Sequence, residues 1–121
     1  MRFLLTLSLL AWAGMAQAEG VRALIQSSPL AGSQYYALST VWQEIRAGDA
    51  LALVREPDNR HDRNAIRVEW RGQKLGYVPR AQNRVIAAAM AAGDHLTARV
   101  SSVSDNKNPW LRVAFEVFVE L

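Results

Sequence analysis

Leu53-Val54-Arg55-Glu56-Pro57-Asp58-Asn59-Arg60-His61-Asp62-Arg63-Asn64-Ala65-Ile66-Arg67-Val68 joins two strand patterns across a single turn. Ala50 to Arg55 reads as a strand, and Pro57 stops its pairing because it has no amide hydrogen to give. Asp58 and Asn59 can bond their own backbone and hold a tight turn, and Asp62 stands where a short carboxylate can fix the loop. From Ala65 to Trp70 the residues alternate. Ile66, Val68 and Trp70 lie on one face, Arg67 and Glu69 on the other. Arg71-Gly72 turns the chain into Lys74-Leu75-Gly76-Tyr77-Val78, which makes a hairpin. Gly76 allows close backbone approach just before the next element.

Outward from this centre the pattern continues in both directions. Pro79 suits the first turn of a helix, and the alanine-rich run Ala81 to Ala92 sustains it until Gly93. Upstream, Val21 to Ser27 forms a first strand. Leu38, Val41, Trp42 and Ile45 recur at helical spacing, with Ser39 or Thr40 as caps and Gly48 as the end. Downstream, Leu96 to Val103 is a strand, and Asp105 to Pro109 is a turn. Leu111, Val113, Phe115, Val117, Val119 and Leu121 are then apolar at every second position, the signature of a half-buried antiparallel strand. Trp42 and Trp70 are expected in the core. The order strand, helix, three strands, helix, two strands implies a mostly β domain with two short helices. The expected architecture is a small OB-like β-barrel of five to six strands.

The first 18 residues stand apart. Met1-Arg2 is a short positive region, Phe3 to Trp12 an apolar run, and Ala16-Gln17-Ala18 a small-x-small cleavage site. The run is shorter than the roughly 20 apolar residues a membrane-spanning helix needs. Residues 1–18 are therefore expected to be a signal peptide and 19–121 the mature domain, periplasmic or secreted. The chain has no cysteine. That excludes disulfides, thiol catalysis, iron–sulfur clusters and cysteine-ligated zinc. No serine lies in a nucleophile-elbow pattern and there is no phosphate-binding P-loop, so a self-sufficient enzyme is not expected.

Charge is unevenly placed. Without Arg2 the chain carries 13 basic and 11 acidic residues, a net of +2. Between Arg55 and Arg84 there are eight basic residues against four acidic, a net of +4, so the remainder carries −2. Arginine dominates, which suits bidentate contact with phosphate or carboxylate. A solvated arginine-rich surface has the same composition.

The strand ending in Arg55-x-Pro57-x-Asn59, the following Asp62-x-x-Ala65-Ile66-x-Val68 and the hairpin into Leu75-Gly76-Tyr77-Val78-Pro79 resemble the HIRAN domain. That module occurs at the N-terminus of some SNF2-type remodelling helicases and as free-standing bacterial proteins. The likeness extends back to Tyr35-Tyr36 and forward through Asn83 to Gly93. It implies a modified OB barrel that grips the 3′ end of single-stranded DNA. Carried over residue by residue, it implies that Tyr35, beside Tyr36, stacks on a base, and that Asn59, His61 and Asp62 line the pocket. Asp62 would face the terminal hydroxyl or the backbone around it, with Tyr77 and Arg80 meeting base and phosphates near the second helix. Gln34, His61 and Tyr77 depart from the family pattern, where a basic residue, an aromatic ring and a histidine occur.

Other readings of the same residues stay open. Asn59 and Asp62 also serve as purely structural turn residues. A zinc site would need His61 and His95 to converge with carboxylates, and no metal or other cofactor is expected. The zinc and hydrolase labels attached to the family are expected to belong to fused domains. The alternative partner is a protein or a cell-envelope component, held in the same groove.

Overall fold

The computed structural model describes residues 20–121. The expected leader at residues 1–18 lies outside them. Six strands, β1 (Arg22–Pro29), β2 (Ala50–Arg55), β3 (Ile66–Trp70), β4 (Gln73–Tyr77), β5 (Leu96–Val103) and β6 (Val113–Glu120), alternate with helices α1 (Leu38–Val41) and α2 (Arg80–Ala91). Two 3₁₀ turns, Ser33–Tyr35 and Pro109–Leu111, complete the described elements. The strands form one antiparallel sheet in the order β1-β6-β5-β2-β3-β4. The mostly β, two-helix, OB-like fold read from the sequence is the one observed.

The sheet curls without fully closing. Register shifts that leave Ile25, Leu75 and Ser101 unpaired bend β1, β4 and β5, as bulges do by adding local twist. The two outer strands then meet through a single bridge just past the end of β1, between Ala31 and Tyr77. Its two backbone hydrogen bonds are each 2.9 Å long. Gly76 makes this approach possible, because a Cβ there would overlap the Ala31 carbonyl oxygen and press on Leu30 Cγ at 3.1 Å.

The interior follows the alternation of the strands. Ile66, Val68 and Trp70 of β3 and Val113, Phe115 and Val117 of β6 are buried, and Ile86 and Ala87 of α2 pack with them. The Arg71-Gly72 hairpin has positive φ at both central residues, 49° and 78°. That backbone twist matches the flanking strands.

Three local expectations shift. The last strand starts at Val113 rather than Leu111, because Asn108 Oδ1 accepts from Trp110 N and Pro109 opens a 3₁₀ turn. Leu111 and Leu121, at the two ends of the alternating run, are 59% and 77% exposed. Helix α1 is one turn long and has no side-chain cap; the chain leaves it in turns before Gly48. Trp70 is buried, as expected, whereas Trp42 only packs against the edge of the core.

Candidate nucleic-acid interface

The β2–β3 turn is built by Asn59. Its Oδ1 accepts the backbone amides of His61 and Asp62, at 2.9 and 3.2 Å, and its Nδ2 donates to Glu56 Oε1 at 2.9 Å. Asp62 continues the lock: Oδ1 accepts from Asn64 N at 2.9 Å, and Oδ2 accepts from Asn83 Nδ2 of helix α2 at 2.7 Å. These bonds fix the turn and tie it to the start of the helix. Arg80 lies over it, donating to the His61 carbonyl at 3.2 Å with Nε 3.9 Å from Asp62 Oδ2.

On the other side Glu56 is the hub. Oε1 also accepts from the Tyr77 hydroxyl at 2.9 Å, and Oε2 accepts from Arg67 at 2.9 Å. The Tyr77 hydroxyl accepts in turn from Lys74 Nζ at 2.7 Å. That ammonium sits 4.1 Å from the centre of the Tyr36 ring and 4.5 Å from that of Tyr77. The two rings meet edge to face at 5.9 Å. Aromatic faces attract a cation, so Lys74 braces both rings from behind.

Between these two walls lies a cleft of about 300 Å³. Tyr36, Tyr77, Ala31, Ala65 and Val78 give it an apolar side; Asn59, His61, Asp62, Arg80 and Asn83 give it a polar one. Six of the seven residues singled out in the sequence are thus brought together. Tyr35, expected to stack, lies outside the cleft at 76% exposure, with its ring edge-on to Tyr36 at 6.5 Å. Tyr36 is the tyrosine of the pair that lines it.

Electrostatics keep the carboxylates ionised. The Asp62 pKa is lowered, first by the hydrogen bond from Asn83, then by the Asn64 amide and the charge of Arg80. For Glu56 burial is the largest influence and acts upward, but Asn59, Tyr77, Lys74 and Arg67 together bring the pKa down. Burial raises the Tyr77 hydroxyl, which therefore stays protonated at neutral pH. Burial works against the Lys74 charge, yet the surrounding tyrosines hold its pKa above the usual value.

A match to the HIRAN domain model covers residues 25–121. The chain belongs to the HIRAN family. Among solved structures this HIRAN domain is similar to a protein from Lactobacillus plantarum, with 26% identity and a TM-score of 0.74. That alignment covers 84% of this chain and 98% of the other. It also resembles the HIRAN domain of human HLTF, at 20% identity and a TM-score of 0.60, over 84% of this chain and 78% of that one; at this identity the likeness concerns the fold. No curated protein matches. Among the described residues, no three His, Cys, Asp or Glu side chains cluster as a metal site.

Asn83, Glu56 and Lys74 are not among the site residues expected from the sequence. Asn83 sits between Gln82 and Arg84 and reads like any polar helix position; only its burial, at 3% exposure, sets it apart. Glu56 and Lys74 are linked across β3 through the Tyr77 hydroxyl, and no local spacing announces that.

Proposed function

We propose that this HIRAN domain is exported and binds nucleic acid, taking the 3′ end of a single strand into the cleft. The observation that carries the reading is the pairing of an aromatic wall, Tyr36 and Tyr77, with an ionised Asp62 opposite. A flat base fits against the rings, where stacking contributes about 1–3 kcal/mol per base. Asp62 accepts two hydrogen bonds already, but a carboxylate has about four acceptor positions, and an ionised one donates none. It therefore accepts a terminal hydroxyl and repels a terminal phosphate. Arg80, exposed at the rim, supplies a salt-sensitive phosphate contact.

The test is fluorescence anisotropy of the mature chain with single-stranded oligonucleotides carrying a 3′ hydroxyl or a 3′ phosphate. The free end is expected to bind roughly tenfold more tightly, about 1.4 kcal/mol. Tyr36→Ala should weaken binding by about 1–3 kcal/mol with little change in salt dependence. Arg80→Ala should lower the salt slope by about one phosphate contact. No oligonucleotide affinity at physiological salt would overturn the reading in favour of a protein or envelope partner.

A further inference from the structure

Beside the aromatic cleft a second concavity of about 660 Å³ opens over the β2–β3 turn. It shares Asn59, His61, Asp62 and Arg80 with the first and adds Pro57, Asp58, Arg60 and Arg63. The character of the walls changes across that boundary. The first cleft has rings and aliphatic side chains on one side; the second, apart from Pro57, is lined by polar and charged groups. A nucleotide divides in the same way, into an apolar flat base and a charged, hydrated phosphate.

The two added arginines are free to bind. Arg60 and Arg63 are exposed, and neither side chain makes a hydrogen bond or an ion pair among the described residues. By contrast Arg67 is held by Glu56 and Glu69, and Arg99 by Glu116. Yet the backbone that carries Arg60 and Arg63 is pinned by the Asn59 and Asp62 hydrogen bonds. Cationic side chains on a fixed turn present their charge in one place at a smaller ordering cost on binding. Planar guanidinium groups suit the paired oxygens of a phosphodiester. Asp58 and the shared Asp62 are the opposing charges of the concavity.

From this juxtaposition we infer that the second concavity is the path of the sugar–phosphate backbone as it leaves the aromatic cleft, with successive phosphates on Arg60 and Arg63. The inference rests on the nucleic-acid reading above. It adds where the strand runs, and so how affinity depends on strand length.

The experiment is anisotropy titration with single strands of about two, four and eight nucleotides, within and below the usual site sizes. Wild type, Arg60→Gln/Arg63→Gln and Arg46→Gln/Arg71→Asn are compared. The last pair removes the same charge at the opposite end of β3, where Arg46 and Arg71 flank Asp49 and Trp70. Wild type should gain affinity with length, and Arg60→Gln/Arg63→Gln should lose most of that gain. Its log–log salt slope should fall by about 0.7 for each phosphate contact removed. Arg46→Gln/Arg71→Asn should keep the gain. Asp58→Asn should tighten the longer strands more than the shortest. A length gain that survives in Arg60→Gln/Arg63→Gln, or that both double variants lose equally, overturns the path and leaves the cleft reading standing. Failure of wild type to bind at any length overturns both. Equal thermal midpoints would confirm that the exposed substitutions leave the fold intact.

Discussion

Glu56 shows how one side chain sets the geometry of a site it does not line. Its two oxygens hold Asn59, Tyr77 and Arg67, so the turn on one side of the cleft and the ring on the other depend on one ionised carboxylate. Because its folded pKa lies below the ordinary 4.5, the unfolded chain binds more protons in the acid range. The stabilisation is present above the unfolded value and is lost as pH falls through the folded one. Glu56→Gln cannot titrate there. Urea unfolding from about pH 7 to about pH 3 should therefore show a shallower loss of stability for Glu56→Gln than for wild type. Parallel curves would mean that Glu56 is not the ionised hub. Asn59 bears on the same scale. Both of its roles were open in the sequence, and the structure shows its oxygen fully engaged by two turn amides. Its position at the cleft is a consequence of building the turn.

At the scale of elements, β4 carries the most consequence for the site. Its last two residues, Gly76 and Tyr77, bring it against Ala31 in a single bridge and deliver an aromatic wall. Gly76→Ala should drive the Ala31 segment away, costing about 1–3 kcal/mol as overpacking does, and displace Tyr77. A fall in thermal midpoint with loss of the Tyr36–Tyr77 contact by nuclear magnetic resonance would show this. An unchanged midpoint would mean that the bridge contributes little. The strands were legible because burial imposes a two-residue period: β3 and the β6 core follow the alternation closely, and β5 does so as far as its bulge after Val100. The ends of β6 were not, since an apolar residue at the right parity is still exposed where the sheet stops, as Leu111 and Leu121 are. Helix α1 was overread for a related reason. Leu38, Val41 and Ile45 are all buried, and a turn followed by irregular chain buries them as well as a longer helix would. The cleft was legible where it coincides with a turn motif. It was illegible where strands and helix meet, at Asn83 and Lys74.

At the scale of the whole molecule, the proposed leader, residues 1–18, precedes the first strand. The family match starts at residue 25 and β1 at Arg22, so cleavage after Ala18 would leave Glu19 to Val21 ahead of the sheet. Val21 is already fastened, its carbonyl accepting from Leu121 N at 2.8 Å. Among the described residues, no helix is long and apolar enough to cross a membrane. The export proposal therefore makes two linked predictions. Expressed in a bacterium as the full 121 residues, the protein should be recovered from the periplasm or the medium with Glu19 as its first residue. Replacing the small residue at the cleavage site, as in Ala18→Arg, should instead accumulate the longer precursor. Purified chain 19–121 should unfold as one cooperative transition, as small single domains do. An intact Met1 on cytoplasmic protein would sink the export half alone and leave the proposal for the cleft standing. With both the export and the nucleic-acid proposals upheld, the strand it meets would lie outside the cytoplasm, and the domain would serve as a binding module in its own right.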